Sequence, residues 1–109
     1  MFQQVFKTGT RLSSGSLVLR FAPSPDGQNR LSYLLRKKNL KLAVDRNSVR
    51  RQMREAFRMN QLCLNQPLWM VFDYKPPVRN QVEDGLFWIA SDLLSQASIQ
   101  ADKKWNQEL

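Results

Sequence analysis

Arginines recur every four residues at positions 46, 50, 54 and 58, with Asn47 and Arg51 among them. On a helix these side chains spread over one arc of roughly 140°. Val49, Met53, Ala56 and Phe57 gather in the adjoining arc of roughly 100°, the width of a core-facing stripe. Like charges four residues apart destabilise a helix by about 0.2–0.5 kcal/mol per pair. Folding alone therefore does not select this spacing. Planar guanidinium forks suit phosphate oxygens, which they can bond bidentately. A merely solvated helix face would mix lysine with glutamate. The chemistry these residues could do is capture of a polyanion.

The surrounding stretch, Arg36 to Arg58, reads RKKNLKLAVDRNSVRRQMREAFR and holds nine of the seventeen basic residues. Only Asp45 and Glu55 oppose them, so nine minus two leaves +7 of the formal +8 in this one segment. The charge belongs to a surface, not to the chain at large.

Bond-making chemistry has little to work with. Histidine is absent, which removes the commonest general base and the commonest zinc ligand together. The nine carboxylates are scattered, and no Gly-rich phosphate loop can be drawn from four glycines. The one adjacent acidic pair, Glu83 and Asp84, falls in the first turn of a predicted helix, where it favours the helix dipole. The sequence thus assigns no catalytic residue and no metal ligand to the protein itself. Its single cysteine, Cys63, cannot form an internal disulfide, sits between Leu62 and Leu64 as a small core residue, and suits a reducing cytoplasm. No run approaches the roughly 20 apolar residues of a membrane span, and the N-terminus does not read as a signal peptide.

A chain of 109 residues, 42% hydrophobic and 10% aromatic, is long enough for one core. Residues 1–8 place Phe2, Val5 and Phe6 on one side of a short helix that ends near Gly9; so short a helix must pack on something. Leu12 to Ala22 reads as a strand. Pro23 to Gly27 is turn chemistry, and a second strand, from about Arg30 to Lys37, is expected to return as an antiparallel hairpin. The basic helix follows and Asn60 to Pro67 leads out of it. Leu68 to Phe72 is the most apolar run and predicts an inner strand. Asn80, with Glu83 three residues on, reads as the N-cap of a capping box. Val82, Leu86, Ile89, Leu93 and Ala97 then mark an amphipathic helix to about Gln100, with Phe87 and Trp88 widening its buried face. A single RNA-binding domain over residues 1–101 and a fraying tail over 102–109 are expected. Strand, helix, strand in succession implies parallel neighbours in one sheet.

The run from Lys37 to Arg58 closely resembles the RNR signature of the bacterial ribonuclease P protein family. The matching positions are Lys37, Lys38, Ala43, Arg46, Asn47, Val49, Arg50, Arg51, Arg54, Glu55, Phe57 and Arg58. The element order agrees over nearly the whole chain. The resemblance implies a small α+β sandwich of order α-β-β(-β)-α-β-α, with a mixed sheet packed on its helices. That fold is ribosomal-protein-like and carries the basic helix in a left-handed βαβ crossover, against the usual handedness.

The resemblance also implies a protein subunit of an endoribonuclease whose RNA subunit is catalytic and holds the magnesium. The protein alone is then inactive, with ribonuclease P RNA and precursor tRNA as its partners and neither a membrane nor a small-molecule cofactor among them. Lys37, Lys38, Arg46, Asn47, Arg50, Arg51, Arg54 and Arg58 would contact the catalytic RNA. Phe2, Phe6, Val18 and Arg20 would line a cleft, between the first helix and the sheet, for the single-stranded 5′ leader. Phe2 and Phe6 read equally as core residues. The sequence departs from the family pattern at Arg20, which replaces an aromatic residue, and at Ser32, Leu34 and Arg36. The family has a basic extension ahead of its first helix; here the chain begins at the aromatic motif, so the extension is missing or the native start lies upstream. A ribosomal or other structural RNA-binding protein without a part in cleavage would fit charge and fold equally, but not the signature. A basic membrane-surface helix fits less well, because the apolar stripe is needed for the core.

Overall fold

The computed structural model describes residues 5–7, 9–61, 64 and 66–105. Residues 5–7 are helical, and Gly9 N–H donates to Val5 O at 2.8 Å to close that turn. Four strands follow the α+β plan: β1 (Thr10–Ser14), β2 (Leu17–Pro23), β3 (Arg30–Leu34) and β4 (Leu68–Tyr74), with helices α1 (Ala43–Asn60) and α2 (Leu86–Trp105). They form one sheet in the order β1-β2-β4-β3.

Successive side chains of each strand point to opposite faces, and the two faces of the sheet are unlike. Leu17, Leu19 and Phe21 of β2 and Leu68, Met70, Phe72 and Tyr74 of β4 point to one face and are fully buried. There they join Val49, Met53 and Ala56 of α1 and Leu86, Ala90, Leu93, Leu94, Ala97 and Ala101 of α2 in the main core. Among the described residues, the other face is covered near one end, where Val5 packs with Ala22 and Val71, flanked by Leu34 and Trp69.

The sheet differs from expectation in two places. The segment 12–22 is not one strand. It folds back at Gly15-Ser16, with Gly15 at φ 57°, so that Ser14 pairs with Leu17 and Arg11 with Arg20. A two-residue hairpin turn needs positive φ, and glycine supplies it without strain. Nor do β2 and β3 form a hairpin. The apolar strand β4 lies between them, antiparallel to β2 and parallel to β3; residues 24–29 therefore cross two strand spacings, about 9–10 Å. Asp26 braces that loop, accepting from Ser24 Oγ at 2.6 Å, Gln28 N at 3.1 Å and Arg30 Nε at 2.8 Å. These donors, the Ser24 hydroxyl first and then Arg30, hold its carboxyl far below the usual range. Strand β3 ends at Leu34 rather than Lys37, while the parallel β3–α1–β4 unit is as expected.

The second half departs in detail. Asn80 is not an N-cap: its φ is 64°, whereas a cap residue is normally extended. Helix α2 starts at Leu86, and the Gly85 carbonyl accepts from both Trp88 N and Ile89 N at 3.1 Å. Glu83 lies ahead of that helix, where Ser16 Oγ donates to its carboxylate and its own N–H donates to Tyr74 Oη at 3.1 Å. Trp88 is 73% exposed, because it lies two residues from Leu86, roughly 200° around the helix from the buried stripe. Phe87 is half-buried and meets Trp88 edge-on at 4.9 Å. Residues 102–105, expected in the fraying tail, continue α2; buried Ala101 and the Lys104 Nζ bond to Thr10 Oγ1 at 2.9 Å anchor this last turn. Phe2 and Cys63 lie outside the described residues. No helix among those described is long and apolar enough to cross a membrane.

Candidate nucleic-acid interface

Helix α1 owes its position to Val49, Met53 and Ala56, which are wholly buried, and to Phe57, which packs half-buried against the same core. Fixing that stripe turns the arginines outward. Arg51, Arg54 and Arg58 are exposed, and Arg46 and Arg50 partly so. Asp45 in the first turn and Arg58 in the last complement the helix dipole. Lys37, Lys38 and Lys41 are exposed in the loop that leads into α1, while Leu40 is buried beneath them.

These cations are not equivalent. Leu42 offers α1 no side-chain cap. Arg46 secures that end instead, donating from Nη1 to the carbonyls of Leu40 at 2.7 Å and Lys41 at 2.9 Å. Arg50 Nη1 donates to Asn47 Oδ1 at 2.9 Å. Arg58 is paired with Glu55, which lowers the Glu55 pKa and raises that of Arg58. Arg54 lies at the hydroxyl of Tyr33 on edge strand β3, with Arg50 also near; burial raises that hydroxyl's pKa, and the two arginines pull it back. Arg51 and Arg54 thus remain the freest forks on the helix face, and Arg46 is partly committed to the fold.

The second candidate surface is the open face of the sheet. Val18 and Arg20 of β2 emerge there, with Arg11 of β1 directly opposite Arg20. Phe6 stands 44% exposed, and the Arg20 guanidinium lies 4.6 Å from its ring centroid. The structure therefore brings Phe6, Val18 and Arg20 together, and Phe6 is not a core residue; its neighbour Val5 fills that place. Directly opposed like charges destabilise a sheet, so an anion bound between Arg11 and Arg20 would relieve their repulsion. The floor is finished by Ser32 and Leu34 of β3 and by Val71 and Asp73 of β4. Asp73 is nearly buried and meets Arg36 Nη1 at 3.3 Å. Arg20 Nε and Trp69 Nε1 are buried and lack a hydrogen-bond partner.

Arg11, Tyr33 and Asp73 were not singled out from the sequence. The Gly15-Ser16 dipeptide was the available signal for Arg11, since a two-residue turn fixes which residues face each other across the hairpin. Tyr33 and Asp73 depend on the strand order, which no local pattern carries. No group of three His, Cys, Asp or Glu side chains that could hold a metal ion occurs among the described residues.

A family model described as Ribonuclease P matches residues 1–97. The ribonuclease P protein component of Stutzerimonas stutzeri is 42% identical over 64 residues, covering 58% of this chain and 49% of that protein. The protein of the same name from Photorhabdus laumondii is 38% identical over 60 residues, covering 55% and 50%. The chain spans about half the length of the relatives it matches. Among solved structures, the RNase P protein of Thermotoga maritima superposes with a TM-score of 0.73 at 25% identity, covering 87% of this chain and 89% of that one. The Staphylococcus aureus RNase P protein, at 20% identity, shares the fold with a TM-score of 0.67, covering 94% and 88%.

Proposed function

This chain belongs to the ribonuclease P protein family, and on that premise we propose that it serves as the protein subunit of a ribonuclease P holoenzyme. It binds the catalytic RNA and the 5′ leader of precursor tRNA, and assists magnesium-dependent endonucleolytic 5′ maturation in the cytoplasm. The observation that supports this reading is the geometry of α1: one apolar stripe packs into the core and five arginines occupy the surface beside it.

Lys37, Lys38, Asn47, Arg50, Arg51 and Arg54 contact phosphates of the catalytic RNA, with Arg46 and Arg58 giving part of their donors to the protein. Neutralising six single-strand phosphates, one each for Lys37, Lys38, Arg46, Arg50, Arg51 and Arg54, makes log affinity fall with log salt at a slope of roughly −4. On the open sheet face, Phe6 and the Arg20 guanidinium offer flat surfaces to leader bases. A stacked base is worth roughly 1–3 kcal/mol whatever its identity, which suits leaders of differing sequence. Arg11 and Arg20 hold the leader's phosphates, and Val18 forms part of the apolar floor.

Magnesium, held in this reading by the RNA, would supply the charge stabilisation for phosphodiester hydrolysis. The protein's part is to bind, to orient and to neutralise. The test is affinity for precursor and mature tRNA, measured with a bacterial ribonuclease P RNA alone and with the protein added. Tighter binding of precursor relative to mature tRNA on adding protein supports the proposal. An unchanged ratio overturns it.

A further inference from the structure

The loops at 37–41 and 75–81 meet beside the N-terminal end of α1 and lock together. Arg79 Nε donates to Lys38 O at 2.7 Å. Asn80 N–H donates to Asn39 O at 2.8 Å, and Asn80 Oδ1 accepts from Lys41 N at 2.8 Å. Asn80 makes both bonds from the left-handed region, φ 64°, a conformation that asparagine tolerates better than most residues. Between the loops lies an open pocket of ≈ 450 Å³, lined by Lys38, Asn39, Pro76, Pro77 and Arg79. That is the size of a small-ligand site, for which the usual range is roughly 300–1,000 Å³.

Its lining has two kinds of surface. Lys38 and Arg79 are cationic, and the Nε bond uses one of the five guanidinium donors; no other bond from either side chain occurs among the described residues. Pro76 and Pro77 give a rigid apolar wall without N–H groups. A cation pair beside a flat apolar wall matches a nucleotide, with phosphate on the cations and base or ribose on the prolines.

We propose that this pocket receives one unpaired nucleotide of the catalytic RNA, extending the α1 phosphate-binding face across Lys38 to Arg79. The inference rests on the functional reading above, since the RNA that lies along α1 is the one within reach. Arg79 is the residue it adds. Its bond to Lys38 O sets the guanidinium in place before RNA arrives, so little side-chain freedom is lost on binding.

The test measures dissociation constants for a bacterial ribonuclease P RNA across a salt series, with wild type, Arg79→Gln, Arg79→Lys, Lys38→Gln and Arg54→Gln. Arg79→Gln and Lys38→Gln are each expected to weaken binding about tenfold and to flatten the log–log salt slope by roughly 0.7. Lys38→Gln should melt close to wild type, Arg79→Gln slightly below it through loss of the bond to Lys38 O, and Arg79→Lys should recover the slope. If Arg54→Gln weakens binding and flattens the slope while Arg79→Gln does neither, the pocket is refuted and the α1 reading stands. If Arg79→Gln lowers the melting temperature and Arg79→Lys fails to recover the slope, Arg79 is only a loop brace and the proposal fails. If wild type shows no salt-dependent binding, the functional reading fails and the pocket with it.

Discussion

Arg46 and Arg54 lie on the same side of α1, yet they answer to different neighbours. Arg46 bonds two backbone carbonyls of the preceding loop, whereas Arg54 is exposed beside the Tyr33 hydroxyl. Arg46→Ala should therefore lower stability by about 1–3 kcal/mol as well as weaken RNA binding. Periodicity places both residues outside the apolar arc; the bonds of Arg46 to the loop carbonyls add a structural role that periodicity does not reveal. Arg54→Ala should weaken binding by roughly tenfold or more, through loss of a charge-assisted bond of about 1.5–3 kcal/mol, and leave the melting temperature near wild type. Thermal melts beside binding isotherms separate the two. Phe6 permits a sharper comparison, because its exposed ring touches Arg20. In the assembled complex Phe6→Leu should weaken binding of precursor tRNA by roughly 1–3 kcal/mol and leave mature tRNA unaffected. Equal effects on both RNAs would place Phe6 outside the leader site.

The helical turn at residues 5–7 reaches the sheet through Gly9. A Cβ there would stand 2.1 Å from Val5 O and 3.0 Å from Phe21 O, both backbone atoms. Gly9→Ala should thus push the turn off the open face, lowering stability by about 1–3 kcal/mol. It should also abolish the preference for leader-bearing tRNA while sparing contacts made by α1; melting curves and the precursor-to-mature affinity ratio report each effect. Helix α1 itself depends on Met53, which is wholly buried: Met53→Ala should cost about 2–5 kcal/mol in denaturant titration. Half-buried Phe57 should cost less than the roughly 3–5 kcal/mol of a full ring deletion. The stripe of α1 was legible because its apolar residues follow the helical period without interruption. The apolar run of β4 likewise announced a strand with neighbours on both sides. Which strands those neighbours are was not legible, because pairing β3 with β4 instead of β2 is settled by long-range burial. The start of α2 misled for a different reason. Asn80 and Glu83 have capping-box spacing, but Asn80 is spent on joining two loops and Gly85 opens the helix.

At the scale of the molecule, the sheet separates two basic surfaces. The helix layer carries the arginines of α1 outward, and the opposite, open face carries Arg11 and Arg20 with Phe6. On the function proposed above, such an arrangement would let one small protein hold two RNA segments at once, a fixed one along α1 and a variable one across the sheet. The first surface could be read from the segment's +7 charge and four-residue spacing. The second could not, because Arg11, Arg20 and Phe6 are distant in sequence and gain meaning only from the hairpin register and the packing of residues 5–7. Fixed cations near the reacting phosphates should replace part of the diffuse ionic screening otherwise drawn from solution. The most direct measurement is the magnesium concentration that gives half-maximal 5′ cleavage of a precursor tRNA by a bacterial ribonuclease P RNA, with and without this protein. The account predicts a lower requirement with the protein, the same cleavage position, and no cleavage by protein alone. An unchanged magnesium requirement, or magnesium-dependent cleavage without the RNA, would contradict it.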